Sequence, residues 1–435
     1  MEVNIIGAGL AGCEAGYYLA KRNIKVKLYD IKPQKFTVAH SNINFAELVC
    51  SNSLKNLQIS NAAGLLKQEL RELNSLIMES ADYTKVPSGN ALSVNRDDFA
   101  EYITNKIKSQ SNIEIICKEI TDIDTSKPTI ICTGPLTTEK LSNNIAIKIG
   151  QDYLHFFDAS APIVNRASID MDFAYFASRY DKGEADYLNC PMNKEQYEAF
   201  YNELVNAKRV ILKEFEDEKV FEGCMPVEVM AKRGFKSLLF GPLKPVGLKD
   251  PKTGKASYAV LQLRSENVEN TMYNLVGFQT NLLYSEQSRV FSMIPALHNA
   301  EFIKYGVMHK NIFINAPIVL NEHYQVKAFP NIFIAGQLSG VEGYIESVSS
   351  GLVSAINMLK YLNNENLIAF PSTTCIGALS NYLTHADYKY FQPMNANWGI
   401  IKEIELIGKD KIKNKELQAN YALNQIKEYK NNHNI

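Results

Sequence analysis

"VNIIGAGLAGCEAGYYLAKRNIKVKLYD", residues 3–30, reads as strand, tight turn, helix and second strand. Val3, Ile5 and Ile6 make residues 3–6 predominantly apolar, the pattern of a parallel strand covered on both faces. Gly7, Gly9 and Gly12 follow with the G-x-G-x-x-G spacing and open the helix. In that spacing the first glycine permits the turn, the second lets a pyrophosphate approach the backbone, and the third lets helix and sheet pack closely. The unpaired N–H groups of the helix start then face the phosphates. Asp30 ends the second strand about 20 residues on, where a carboxylate can bond ribose hydroxyls. Strand before, helix after and acid at the next strand end together predict dinucleotide binding.

Farther along, residues 61–80 carry Leu65, Leu66, Leu70, Leu73 and Ile77 at helical spacing, which predicts a helix packed on the sheet. "PTIICTG" (128–134) is another buried strand, ending at Gly134. From about 150 to 310 the texture changes to more charge, more Tyr and Phe, and strand-like stretches such as "YAVLQLRSEN" and "YNLVGFQT". This predicts a mixed α/β domain (151–309) inserted into a discontinuous nucleotide-binding domain (1–150 and 310–435). The first pattern returns at 331–335, a strand running into Gly336, then a helix start near Gly343 and a long apolar-striped helix. The C-terminal "KDKIKNKELQANYALNQIKEYK" predicts a mixed-charge amphipathic helix. One fingerprint at the front and a glycine-rich junction near the end favour FAD over NAD, because a long cofactor lying across the sheet uses both. Expected cofactor contacts are Gly7, Ala8, Gly9, Leu10, Ala11, Gly12, Asp30, Gly134, Gly336, Gln337, Gly343 and Tyr344. Tyr344 can stack on flavin or folate, or fill the core.

The 435 residues are 46% hydrophobic and 21% charged, as in ordinary globular proteins, and the net charge of -1 gives no global pull toward nucleic acid. Any RNA contact must come from a local patch. Seven cysteines lack any CxxC spacing, so neither a metal site nor a paired redox motif is expected. Their odd number fits a reducing cytoplasm, and no leader or apolar run long enough to span a bilayer is apparent. Neither a membrane nor DNA is expected as a partner.

"FAELVCSNSLKN" (45–56) sets Cys50 among polar residues, whereas an inert thiol usually has apolar neighbours. The chain resembles the folate- and FAD-dependent tRNA (uracil-5-)-methyltransferases, the TrmFO family, nearly end to end. "GAGLAGCEA", "FAELVCSNSLK", "FEGCMPVEVMAKRG", "YNLVGFQTNL", "AEFIKYGVMH", "AGQLSGVEGYIES" and "FQPMNANWG" carry the resemblance. More distantly it is similar to the FAD-binding tRNA-modification protein of GidA type. The implied fold is α/β, an FAD-binding doubly wound, glutathione-reductase-like domain with an inserted mixed α/β domain.

The resemblance implies that methylenetetrahydrofolate supplies a one-carbon unit and reduced FAD the hydride, with NAD(P)H recycling the flavin. The product would be 5-methyluridine in the T-loop of tRNA. Uracil C5 becomes nucleophilic only when a thiolate adds to C6, and a base must later remove the C5 proton. Cys50 and Cys224 both lie in family motifs and are carried over as catalytic, Cys50 as the expected nucleophile and Cys224 as second thiol or base. Glu222 and Glu228 flank Cys224 and either tune it or stand as surface acids.

Residues 232–255, "KRGFKSLLFGPLKPVGLKDPKTGK", hold seven cationic residues against one Asp, with Phe235 and Phe240 interleaved. Lys232, Arg233, Lys236 and Lys244 are the candidate RNA contacts, and an aromatic ring there can stack a splayed base. Leu239 and Lys55 depart from the family pattern, where arginine is usual, which leaves 23S ribosomal RNA as the rival to tRNA. Two readings of other classes are a flavin-bound RNA-binding partner without methyl transfer and a plain NAD(P)H:flavin oxidoreductase.

Overall fold

The computed structural model describes residues 1–181, 184–210, 225–405 and 410–435. The strand Glu2–Ile6, the helix Leu10–Ala20 and the strand Lys25–Asp30 realise the opening motif. Glu2–Ile6 pairs in parallel with Lys25–Asp30 on one side and Thr129–Ile131 on the other. The sheet grows outward to Ile113–Cys117 at one edge and, through Phe329–Ile334, to Gln325–Val326 at the other. Only that last pair is antiparallel. The return strand near 331 therefore sits two places from the first, and the long helix after it, Tyr344–Leu362, packs against Leu10–Ala20. Both helix starts consequently meet at one end of the sheet.

The predicted helix over 61–80 is two helices, Ala62–Glu72 and Leu76–Tyr83. Asn74 takes φ +59°, and Ser75 caps the second helix by accepting the Met78 N–H at 3.2 Å. Glu14, buried in the first helix, accepts from the N–H groups of Leu76 and Ile77 and from the Ser75 hydroxyl. Burial pushes its carboxyl up to about 7. Apolar periodicity cannot see this break, because both helices bury leucines in the same core.

A second sheet is wholly antiparallel, in the order Tyr175–Phe176, Leu188–Met192, Ala259–Ser265, Met272–Leu275, Ile163–Asn165, Phe302–Lys304. It has its own hydrophobic core, built from residues between Val164 and Leu297. The core around the parallel sheet draws on residues up to Ile145 and again from Phe313 onward. A two-stranded ribbon, Leu154–Ala159 with Met308–Phe313, runs between the two regions.

Side chains bind the regions together beside Cys50. Asn52 is fully buried and donates through Nδ2 to the carbonyls of Val94 (3.1 Å) and Ser265 (3.0 Å). Arg264 donates to Asn52 Oδ1 and Ser51 Oγ. Arg96 pairs with Glu266 at 2.6 Å and donates to the Leu48 carbonyl at 2.8 Å. The hydroxyls and amide around Cys50 thus hold its loop against the second sheet. Removing one partner leaves a buried polar group unpaired, at a cost of about 1–3 kcal/mol.

Candidate functional site

A cavity of about 460 Å³ opens where the two helix starts converge. Gly7, Ala8, Gly9, Leu10 and Ala11 line one wall, with Asp30, Gly134, Gly336, Gln337, Gly343, Tyr344 and Cys50 around it. Gly12 does not reach the cavity. A Cβ on Gly12 would lie 1.9 Å from the Gly7 carbonyl oxygen, so its work is close packing of helix on turn. Gly7, at φ +103°, is likewise demanded by the chain itself, since a Cβ there would meet the Cys132 carbonyl oxygen at 2.5 Å.

Gly9 is different. Its φ of −74° suits any residue, and a Cβ would find nothing within 4 Å. The protein's own atoms do not require a glycine there, whereas a pyrophosphate lying on the helix start does. Asp30 fits the same ligand, and it also fixes the turn. Its Oδ2 accepts the Ala8 N–H at 2.9 Å and its Oδ1 the Lys32 N–H at 2.8 Å. Each carboxylate oxygen has a second lone pair left for a ribose hydroxyl. A dinucleotide such as FAD therefore fits this cradle.

Cys50 meets Tyr344 across the cavity. The tyrosine oxygen accepts the N–H groups of Cys50 (2.9 Å) and Ser51 (3.3 Å) and lies 2.9 Å from Cys50 Sγ. With its lone pairs engaged by two N–H donors, the hydroxyl proton is directed at the sulfur. Tyr344 is the first residue of the long helix, so its place comes directly from the glycine-marked junction. Burial pushes the Cys50 thiol up to about 12, and the negative charge of Asp158 adds to this; the Tyr344 hydrogen bond and Arg96 oppose it. The thiol rests protonated at neutral pH.

Two acids missed in the sequence face the same space. Glu342 and Asp158 both line the cavity, and Gln337 Nε2 donates to Glu342 Oε2 at 2.5 Å. Burial, then the nearby Asp158 charge, pushes Glu342 up to about 8. Glu342 stands inside the Gly336–Gly343 junction, where the glycines drew the reading and nothing marked the acid; Asp158, on the ribbon, had no local signal. Lys55 pairs with Glu346 at 2.9 Å on the cavity edge.

Cys224 lies outside the described residues, as does Glu222. Of the described residues flanking that stretch, Val210 donates to the Asn281 carbonyl at 2.9 Å and Val227 to the Gln279 carbonyl at 2.7 Å; Gln279 lines the cavity. Glu228 is no surface acid. It is buried and accepts from the Asn281 N–H (2.7 Å) and the Thr280 hydroxyl (2.9 Å), which braces that loop.

The basic segment stands apart from the cavity. Lys232, Arg233, Lys236 and Lys244 are exposed, and Phe240 is 81% exposed. Of the two rings interleaved there, Phe235 instead packs edge-on against Tyr197 and Tyr201 at 5.2 and 5.0 Å. Leu239 also packs against the second core. Among the described residues no cluster of His, Cys, Asp and Glu is arranged to hold a metal ion, and no helix is long and apolar enough to cross a membrane.

Residues 2–366 match the family model described as glucose inhibited division protein A. A relative from Acetivibrio thermocellus, named methylenetetrahydrofolate--tRNA-(uracil-5-)-methyltransferase TrmFO, is 56% identical over 427 residues, covering 98% of each chain. Relatives of the same name from Listeria monocytogenes and Bacillus velezensis are 54% and 52% identical, each over 98% of this chain and 98% and 97% of their own. The chain belongs to the TrmFO family. The TrmFO fold is also that of Aquifex aeolicus GidA, whose structure superposes with a TM-score of 0.72 at 15% identity, over 99% of this chain and 73% of that one.

Proposed function

We propose that this protein methylates C5 of a uridine in tRNA, taking the one-carbon unit from methylenetetrahydrofolate and using FAD held in the cavity above. The observation that carries the reading is identity of 52–56% over nearly the whole chain with relatives whose name states that reaction. FAD, when bound and reduced by NAD(P)H, supplies the hydride that completes the methyl group. Backbone N–H groups of Gly9, Leu10 and Ala11 would hold its pyrophosphate and Asp30 its ribose, with the Gly336–Tyr344 junction flanking the rest. No observation favours ribosomal RNA, and the reading carries a location with it, the cytoplasm, where tRNA and folate meet.

The chain's own residues supply the covalent steps. A thiolate adds to uracil C6, and C5 bonds the one-carbon unit of the folate. Loss of the C5 proton expels the folate nitrogen and leaves an exocyclic methylene on C5, and hydride addition to that methylene expels the thiolate from C6. The geometry around Cys50 argues for an exchange of the roles expected from sequence. Cys50 Sγ lies 2.9 Å from the Tyr344 hydroxyl, a contact through which a proton taken from C5 can be passed on, and burial makes its thiolate, once formed, strongly basic. We assign removal of the C5 proton to Cys50 and attack on C6 to Cys224. Support for the second assignment is that Cys224 precedes by three residues Val227, whose N–H is bonded to cavity-lining Gln279.

The test is purified holoenzyme with unmodified tRNA transcript, NADPH and methylenetetrahydrofolate labelled at its transferable carbon. Mass spectrometry of the nucleosides should find 5-methyluridine carrying the label. Unlabelled product, or none, would defeat the reading.

A further inference from the structure

Three aromatic rings outside the cavity are stacked in one line. Tyr305 lies between Tyr284 and Phe302, with centroids 4.9 and 5.5 Å away and ring planes 13° and 10° apart. The inner end is fixed, since Phe302 rests against core Phe291 at 6.5 Å and the Tyr305 hydroxyl meets Ser288 Oγ at 2.9 Å. The outer ring, Tyr284, is 54% exposed. Packing alone does not call for a large ring on the solvent side of such a stack.

Its location gives it a use. Gly306, next to Tyr305, is wedged so tightly that a Cβ would lie 2.5 Å from the Ser160 carbonyl oxygen and 2.7 Å from Thr280 Cγ2. Asp158 and Gln279, close by in sequence on those same two segments, line the cavity that Cys50 faces. The stack therefore starts at the rim of the site. Phe302 begins the strand Phe302–Lys304, and Leu283, next to Tyr284, donates its N–H to the Lys208 carbonyl at 3.1 Å. The neighbouring acid Glu286 is paired with Arg289 at 2.7 Å.

We infer that Tyr284 is a stacking platform for an unpaired nucleobase of the RNA loop next to the uridine being methylated. The inference rests on the RNA-methylating reading above. A uridine inside a loop reaches a buried site only when it leaves its neighbours, and the base left behind loses a stacking surface. A prebuilt column of parallel rings at the rim replaces that surface without ordering any new side chain, and every base has a face to offer it. The second flat ligand of the reaction, the folate, also has aromatic rings, but an exposed ring outside the cavity suits a polymer that spans cavity and rim.

The experiment compares wild-type holoenzyme with Tyr284→Ala and Tyr284→Trp, using a T-arm RNA hairpin across a salt series. Tyr284→Ala should bind the hairpin about 5- to 150-fold more weakly. The salt slope should stay unchanged, because no charge is removed. FAD content and flavin reduction by NADPH should match wild type, and Tyr284→Trp should restore affinity. Unaltered affinity in Tyr284→Ala would overturn the inference, as would a raised KM for methylenetetrahydrofolate with RNA binding intact, which would give the ring to folate. Wild-type enzyme that neither binds nor methylates the hairpin would defeat the functional reading itself.

Discussion

Around the parallel sheet, the cavity is bordered by short glycine-marked turns: the helix start at Gly9–Ala11, the turn at Gly134, and the second helix start at Gly343–Tyr344. Around the antiparallel sheet, the exposed ring of Tyr284 is carried on Tyr305 and Phe302, side chains that the fold brings together from separate segments. Backbone recognition needs glycines at fixed spacing and so leaves a contiguous trace in sequence. Recognition by side chains needs only that the fold bring them together, and it leaves none.

The sharpest way to break this contrast is Gly9→Val. Its Cβ meets no protein atom, so the fold should be kept and the melting temperature should match that of FAD-stripped wild type, while bound FAD is lost. Retention of stoichiometric FAD, read from absorbance, would remove the pyrophosphate from that wall. By contrast Gly12→Val should fail to fold, since its Cβ has no room.

Tyr344→Phe comes next. It removes the O–H aimed at Cys50 and leaves the N–H groups of Cys50 and Ser51 without their acceptor. A hydrogen bond to a charged group contributes about 1.5–3 kcal/mol, so methylation should fall roughly 10- to 150-fold. The sign with pH follows from the same bond. Tyr344 favours the thiolate, hence its loss raises the Cys50 thiol further and moves the alkaline rise of the rate to higher pH. An unmoved pH profile would detach Tyr344 from the thiol.

A smaller effect belongs to the second sheet. Replacing Lys232, Arg233, Lys236 and Lys244 by Ser should weaken tRNA binding and lower the salt slope by roughly 0.7 per lost contact to a single strand. FAD reduction should not change. An unchanged slope would mean that these cations serve only solubility.

How much of this was legible follows from the same contrast. Gly7, Gly9, Gly12, Asp30 and the Gly336–Gly343 junction could be read because a turn, a close approach and a helix start each dictate a residue type. The break at Asn74 could not be read from periodicity, although Asn-Ser before a new apolar run is itself a capping signal. Phe235 looked like a base-stacking ring because its cationic neighbours resemble a binding strip; only the fold shows it turned inward against Tyr197. Glu342 was hidden among glycines. Asp158 had no local pattern at all, since its place beside Cys50 comes from the ribbon Leu154–Ala159 joining two regions far apart in sequence. Polarity around Cys50 has a structural cause as well: Ser51 and Asn52 tie the loop to Arg264 and Ser265.

The division of labour between the two thiols is the central claim, and one trapping measurement tests it directly. A T-arm RNA with 5-fluorouridine at the target position cannot lose a proton from C5, so the thiol that attacks C6 stays attached. Wild type and Cys50→Ala should both form the adduct, with the RNA mapped to the peptide containing Cys224, and Cys224→Ala should form none. An adduct on Cys50, or its disappearance in Cys50→Ala with FAD still bound, would contradict the account.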